Sequence, residues 1–333
     1  MLYSSESFRI HPRFTARILA FIIALTVSLS AFFILKAIFK TDDLSEQSNL
    51  NGEEIKEAVN NGESNTGELI IDDALDVGNA VNARSAVIFS VGNARILAKK
   101  APKEKLPIKD AAVFLTAFAV SKAISDGSAV ITDYAVCPAS AAKLEDYSLT
   151  KDILPIGKRM QIGDLLKCML YQSGSAYSYT LGVHIFGSEE NLVFELNTIA
   201  KEWGLTETEV LKCYSLNEDG GYTSAYDLAV IVKKALEDPL IKETVSSYEA
   251  ISIGYGQSQS VSIVVKNDFF ERYCTVSQAQ NDGILGGKIG IGVYSTWSVI
   301  VFEHDTETFV SVALESREPF ADALILYSAY VMH

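Results

Sequence analysis

The 333-residue sequence predicts an α/β (α+β) domain that contains an antiparallel sheet and follows a transmembrane helix and an acidic linker. Three observations predict this organisation. A long apolar run lies near the amino terminus, an acidic stretch follows it, and the remainder shows strand and helix patterns. The order of those patterns is a strand hairpin, a helical middle, further strands and a closing helix, which indicates an α/β layout.

The apolar run near the amino terminus is long enough to cross a bilayer. Residues 18–35 (ILAFIIALTVSLSAFFIL) carry no charge, and Arg9, Arg13 and Arg17 precede them. Basic residues on that side favour a cytoplasmic segment over 1–17, with the rest of the chain outside the cytoplasm. We predict an uncleaved signal-anchor over 18–40. The alternative is a cleaved signal peptide, for which the SLS triplet resembles a cleavage site.

An acidic linker is predicted over residues 41–82. The stretch is rich in Asp, Glu, Asn, Gly and Ser and contains a single lysine, Lys56. Such a composition cannot bury enough apolar surface to offset the entropy lost on ordering, so we expect a disordered spacer. A short helix is possible within 67–77 (GELIIDDALDV). The globular domain is predicted over 83–333.

The globular part divides into segments with distinct periodicity. Apolar runs on either side of a Gly-Asn turn predict a hairpin over 84–100. Gly204 is a typical helix C-cap, and Thr223 or Ser224 is a typical N-cap. After the hairpin the predicted elements, in chain order, are a helix over 111–125, a strand over 131–138, helices over 163–174, 191–204 and 223–238, strands over 260–266, 283–290, 294–304 and 306–316, and a helix over 320–331.

Charge and metal-binding residue types exclude some functions. A net charge of −14 argues against nucleic acid, whose phosphates would repel the chain. The widely spaced cysteines form no metal-ligand motif: Cys137, Cys168, Cys213 and Cys274. We favour buried free thiols over two disulfides. His184, in an apolar stretch, is predicted to be a core residue, and no metal or organic cofactor is implied.

Five segments in order resemble the D-alanyl-D-alanine carboxypeptidases, the low-molecular-weight penicillin-binding proteins. They are ARSAVIFSVGNARILAKKAPKEKLP, DLLKCMLYQSGS, GGYTSAYDLAVIVKKAL, NDGILGGKIG and REPFADALILYSAY. The resemblance covers residues 83–333. It implies a serine β-lactamase/D,D-peptidase-like fold, in which helices flank a five-stranded antiparallel sheet beside a mostly helical subdomain. The substrate class it implies is the peptidoglycan stem peptide.

The family's catalytic motifs are altered where the resemblance places them. Its S-x-x-K motif supplies a nucleophilic serine and a basic lysine, and these positions fall on Asp110 and Val113. Its S-x-N motif corresponds to Ser173 and Ser175. Its K-T-G motif corresponds to Lys288 and Gly290, with Ile between them. The resemblance therefore implies a scaffold that has lost its nucleophile and its base.

Two roles are open for the carboxylate at the nucleophile position. Asp110 could pair with Lys288 across the former cleft, or it could be the N-cap of the helix that follows it. The two roles are compatible, and we favour the cap. Ser173, Ser175 and Lys288 could then be ordinary turn and strand residues.

A second S-x-x-K occurs in CPASAAKLE, at Ser140 and Lys143. The family separates S-x-x-K from S-x-N by roughly sixty residues. Asp110 lies at about that distance from Ser173, whereas Ser140 lies at about half of it. A polar stretch broken by Pro155 follows Lys143, where the family has a long apolar helix. We therefore interpret Ser140 as the cap of a short helical turn.

The sequence predicts a membrane-anchored, extracytoplasmic carboxypeptidase homologue that is catalytically inactive. Its retained role would be to bind a peptidoglycan stem peptide or a cell-wall protein. One alternative is an active serine carboxypeptidase that uses Ser140 and Lys143 or an unrecognised arrangement. Another is a purely structural interaction module.

Overall fold

The computed structural model describes residues 68–254, 262–290 and 296–332. The predicted cytoplasmic segment, the signal-anchor over 18–40 and most of the linker lie outside these ranges. Within the described ranges, no helix combines the length and the apolar character needed to cross a membrane.

Strands predominate at the two ends of the described chain, and most of the helices lie between them. The strands are β1 (Leu75–Asp76), β2 (Ser85–Ser90), β3 (Arg95–Lys100), β4 (Leu106–Pro107), β5 (Tyr134–Val136), β6 (Arg159–Gln161), β7 (Glu209–Val210), β8 (Gly221–Thr223), β9 (Ile251–Gly254), β10 (Ser262–Val265), β11 (Ile284–Ile289), β12 (Thr296–His304) and β13 (Glu307–Ser316). The helices are α1 (Val113–Ser125), α2 (Tyr147–Thr150), α3 (Ile162–Tyr171), α4 (Ser175–Phe186), α5 (Glu189–Glu202), α6 (Ala225–Ala235), α7 (Pro239–Ser246), α8 (Asp268–Arg272), α9 (Val276–Asn281) and α10 (Pro319–Tyr330).

The main sheet has the order β1-β3-β2-β13-β12-β11. All neighbours in it are antiparallel except β1, which pairs parallel with β3. Every residue of β2 is buried, because helices cover both faces of the sheet. The predicted five-stranded antiparallel sheet is therefore present, with β1 added as a short edge strand.

Helices form a layer on each face of the sheet. On one face α1 and α6 pack beneath the helical subdomain, and the Ser224 side chain caps α6 by accepting from the amide of Asp227. On the other face α10 packs in a smaller core. The Asp322 carboxylate in α10 accepts from the amides of Asn82 and Ala83, each at 2.7 Å. These bonds tie the closing helix to the start of β2.

Two predictions about the entry to the domain are wrong. Residues 67–77 were expected to allow a short helix, and residues 68–82 to belong to a disordered linker. Instead Ile70 and β1 run alongside β3, with the amide of Ile70 donating to the carbonyl of Ala94 at 2.8 Å. Leu69 is buried in the main core. The sheet edge offers unpaired backbone groups, and this pairing orders a segment whose composition alone predicts disorder.

The prediction for the cysteines is confirmed, whereas the prediction for His184 is wrong. All four cysteines are buried free thiols, as predicted, and burial raises the pKa of each. The prediction that His184 is a core residue is wrong. It lies in the last turn of α4 with its side chain exposed, because the helix turns that position away from the core.

Candidate active site

Asp110, the residue that the sequence predicts at the family's nucleophile position, lies in a 3-10 turn over Lys109–Ala112 immediately before α1. Its side chain is buried, with the residue only 4% exposed, and Trp297 Nε1 donates to Asp110 Oδ1 at 2.6 Å. Its Oδ2 is also buried and has no hydrogen bond of normal geometry. The N-cap position of α1 is Ala112, and no side chain caps this helix. The prediction that Asp110 caps the helix is therefore wrong, because its carboxylate is held by an indole from the sheet.

Burial governs the protonation of this carboxyl group. Removal from water raises the pKa of Asp110 above its ordinary value. The charge of Lys288, the bond from Trp297 and the nearby Ser173 hydroxyl each lower it, but burial is the largest effect. Burial therefore makes the ionised form of the Asp110 carboxyl group less favourable than it would be in water.

Lys288 lies on β11 and is also buried, with 3% of the residue exposed. Its Nζ donates to the carbonyl of Gln172 at 3.0 Å and to that of Leu170 at 3.4 Å. Burial lowers the pKa of Lys288 to about 8, against the opposing charges of Asp110 and Asp268. Among the described residues no direct salt bridge joins Lys288 to Asp110. The predicted pairing therefore takes the form of an electrostatic interaction without direct contact.

The lowered pKa of Lys288 predicts a pH dependence of stability. Between about pH 8 and 10.5 the folded chain releases the Lys288 proton while the unfolded chain retains it. The unfolded state then binds more protons, so the contribution of Lys288 to the free energy of unfolding rises with pH. We expect the stability of the natural chain relative to Lys288→Met to increase by about 2 kcal/mol from pH 8 to 10. The measurement is urea unfolding of both proteins across this range.

The comparison with Lys288→Met is needed because other buried groups titrate in the opposite direction. The raised pKa values of the buried cysteines make the unfolded state lose protons first as the pH rises. Both proteins share that loss, so it cancels in the difference. A difference that stays constant with pH would contradict the assigned state of Lys288.

The S-x-N positions lie at the start of α4. Ser173 and Ser175 are buried, and the Asp146 carboxylate accepts from both the amide and the hydroxyl of Ser175. The amide contact measures 2.8 Å. The Ser175 hydroxyl is therefore committed to a carboxylate that fixes the first turn of α4, and it is not free to hold a substrate amide.

Trp297 lies against both Asp110 and Gly290. Its carbonyl accepts from the amide of Gly290 at 3.0 Å, and its ring meets Phe114 edge-on with centroids 6.2 Å apart. A Cβ at Gly290 would lie 2.6 Å from Cδ1 of the indole and closer still to Nε1. Position 290 is thus a glycine because the indole lies directly on it.

Ser140 and Lys143 lie in a separate 3-10 turn over Ala139–Lys143. Tyr179 donates its hydroxyl to Ser140 Oγ at 2.9 Å, and Lys143 is exposed. The N-cap position of this turn is Pro138, without a side-chain cap bond. The prediction that Ser140 caps the turn is therefore wrong, because Ser140 lies inside it and bonds Tyr179.

The structure thus brings Asp110, Ser173, Lys288 and Gly290 together, with Val113 buried at the start of α1. No contact in the described ranges joins Ser140 to this group. Sequence reasoning missed Trp297 and Asp146. The Trp297 bond to Asp110 spans 187 positions, and no local pattern in the sequence pairs them. No group of three or more His, Cys, Asp or Glu in the described ranges could hold a metal ion.

Comparison with known proteins decides the family. A family model described as D-alanyl-D-alanine carboxypeptidase matches residues 72–280. The chain belongs to the D-alanyl-D-alanine carboxypeptidase family. It is 29% identical over 170 residues to the carboxypeptidase DacF of Bacillus subtilis, a match that covers 51% of this chain and 43% of DacF. It is 25% identical over 162 residues to DacC of Escherichia coli, covering 48% of this chain and 40% of DacC. The match thus spans about two-fifths of these curated relatives.

Solved structures confirm the predicted fold of this carboxypeptidase homologue. A D-alanyl-D-alanine carboxypeptidase from Mycobacterium tuberculosis superposes with a TM-score of 0.64 at 17% identity, over 78% of this chain and 95% of that one. Penicillin-binding protein D2 from Listeria monocytogenes, in its ampicillin-bound form, gives 0.61 at 20% identity, over 75% of this chain and 98% of that one. The resemblance inferred from sequence segments is therefore confirmed.

Proposed function

We propose that this carboxypeptidase homologue is catalytically inactive and serves the cell wall by binding or scaffolding. One observation carries the proposal. The nucleophile position holds Asp110, a buried carboxyl group that accepts a hydrogen bond from the buried indole of Trp297. The indole lies against both Asp110 and Gly290, and we infer that it occupies space that a substrate carbonyl would need.

The chemistry of the remaining side chains supports the same proposal. Acyl transfer of this type needs a nucleophile with a basic group beside it. A carboxylate is weakly basic, and the anhydride that it would form reverts easily. Val113 cannot accept a proton, and Lys288 donates to two backbone carbonyls rather than to a nucleophile.

The burial of the former site favours one mode of binding over another. Asp110, Lys288 and Trp297 are each at most 4% exposed, so a stem-peptide carboxylate would have to displace packed side chains to reach Lys288. We therefore favour a cell-wall protein bound at the surface over a stem peptide bound in the former cleft. The burial of these side chains supports equally the alternative of a purely structural interaction module.

The proposed location rests on the amino-terminal sequence. The uncharged run over 18–35 and the arginines before it would anchor the protein in the cell membrane, with the carboxypeptidase-like domain outside the cytoplasm. The membrane is thus the second proposed partner.

Covalent labelling by a fluorescent penicillin tests the absence of catalysis. We expect no labelled band from membranes that contain the full chain, because position 110 offers no hydroxyl for acylation. The matched variant is Ser140→Ala. A band in the natural chain that disappears in Ser140→Ala would overturn the proposal and establish the alternative of a relocated serine.

The variant Asp110→Ser with Val113→Lys tests whether the rest of the site still works. We expect it to remain unlabelled, because the Trp297 indole still lies between positions 110 and 290. Labelling of this double variant would show that the indole does not block the site. Folding of the variant is checked by circular dichroism before labelling.

A further inference from the structure

A cavity lies away from Asp110 and Lys288, where the start of α6 faces the segment between α5 and β7. Its volume is about 290 Å³, and the residues that line it include Trp203, Tyr226, Asp227, Lys103, Glu68 and Thr206. None of these residues belongs to the positions of the family motifs discussed above. The cavity is large enough for a small organic molecule.

Asp227 is the buried polar group of this cavity. The residue is 2% exposed, and its Oδ2 accepts from the amide of Glu207 and from the hydroxyl of Thr208, each at 2.8 Å. Its Oδ1 accepts no hydrogen bond from the described residues. This oxygen is not one of the buried atoms without a partner, so it keeps access to solvent; because Asp227 lines the cavity, a bound donor could reach this acceptor.

The walls of the cavity suit a cation. Two aromatic side chains, Trp203 and Tyr226, contribute to them, and Lys103 Nζ already lies 5.1 Å from the centre of the Tyr226 ring. Aromatic faces attract ammonium groups in this way. Of the three charged side chains in the lining, Glu68 and Asp227 are acidic and only Lys103 is basic.

The segment that contains Glu68 and Leu69, at one side of the cavity, is fixed by hydrogen bonds. Tyr226 donates its hydroxyl to the carbonyl of Leu69 at 3.0 Å and accepts from the amide of the same residue at 3.1 Å. Glu68 is therefore held at the rim. The Trp203 ring, the other aromatic wall, is fixed as well, because it packs edge-on against Phe118 with ring centroids 4.5 Å apart.

We propose that this cavity binds a small primary ammonium compound, with the ammonium donating to Asp227 Oδ1 and the apolar body against Trp203. The electrostatics agree with this assignment. Burial raises the pKa of Asp227, and the charge of Lys103 is among the effects that lower it. A bound ammonium would stabilise the ionised carboxylate further.

Binding of cyclohexylammonium, compared with the neutral cyclohexanol of similar shape, tests the proposal. The full chain in detergent is titrated while tryptophan fluorescence is recorded, because its two tryptophans are Trp203 in the cavity and Trp297 in the former site. We expect a saturable change with a dissociation constant on the order of millimolar. The change should be absent in Trp203→Phe, and cyclohexanol should bind about tenfold more weakly.

Asp227→Asn is the decisive variant. Its amide oxygen can still accept from Glu207 and Thr208, but its amino group replaces the free Oδ1 acceptor with a donor. We expect binding of cyclohexylammonium to weaken about tenfold or more. Glu207→Gln removes a neighbouring charge that does not line the cavity and should change the affinity by less than about threefold. Lys103→Gln should tighten binding, because it removes a repelling charge.

Three results of the titrations with cyclohexylammonium and cyclohexanol would overturn the proposal. They are the lack of a saturable response, equal binding of cyclohexanol, or equal binding by Asp227→Asn. Should Asp227→Asn fail to fold, Thr206→Phe places a ring at an exposed lining position and should abolish binding by filling the cavity. Alanine is a zwitterion. If alanine bound more tightly than cyclohexylammonium and Lys103→Gln removed this binding, the proposed ammonium ligand would also be overturned in favour of a zwitterion. None of these results depends on whether the former active site acylates penicillin.

Discussion

Replacement of Trp297 by alanine is expected to lower the free energy of unfolding by about 3 to 5 kcal/mol. The indole is 2% exposed, so its removal leaves a cavity beside Gly290 and Phe114. The same change removes the indole donor of Asp110 Oδ1 and leaves this buried oxygen without that partner. Urea unfolding of the full chain in mild detergent, followed by far-ultraviolet circular dichroism, measures the loss.

A double-mutant cycle separates the hydrogen bond from the packing. Trp297→Phe retains an aromatic ring against Phe114 but has no Nε1 donor, and Asp110→Ala removes the acceptor. We expect a coupling energy of about 1.5 to 3 kcal/mol between the two changes. A coupling near zero would show that the contact between Trp297 and Asp110 does not stabilise the fold.

The second large effect is expected for Gly290→Ala. The added methyl group would lie 2.6 Å from Trp297 Cδ1, inside the van der Waals contact distance, and the buried indole has little room to move. We expect a loss of about 3 kcal/mol in the free energy of unfolding. The measurement is the same urea titration, with the slope of the transition checked for a change in the unfolded state.

Gly92→Ala is the matched control. A Cβ at Gly92 would meet nothing within 4 Å, and this glycine does not have a positive φ. We expect the stability to change by less than about 0.5 kcal/mol. Equal losses in the two variants would mean that the close packing of Trp297 on Gly290 is not the cause.

Local patterns in the sequence account for most of the fold. The hairpin of β2 and β3, the capped helix α6 and the long strands β12 and β13 were all predicted near their observed bounds. Each is specified by its own periodicity and by turn or cap residues within a few positions. The exception is the segment over 68–82, which is ordered by pairing with an edge strand rather than by its own composition.

For the candidate site, the sequence predicted which residues lie together but not the contacts that they make. The order of the segments predicts Asp110, Ser173 and Lys288 at the family positions, and the structure brings these three together. The role of Asp110 could not be predicted in the same way. The sequence favoured a helix cap, since Asp is among the best capping residues, whereas the carboxylate instead bonds Trp297 from a distant strand. Likewise, the bond between Tyr179 and Ser140 depends on how α4 packs against the turn over 139–143.

The sequence by itself determined the family and the order of the elements, and it predicts that the nucleophile motif has lost its serine and its lysine. These features are encoded in residue types and short spacings. Only the tertiary structure decided that an indole lies against both Asp110 and Gly290, that Lys288 bonds backbone carbonyls and that Asp227 keeps an accessible acceptor beside a cavity. Such contacts join residues far apart in the chain, and their energies depend on burial, which a one-dimensional pattern does not specify.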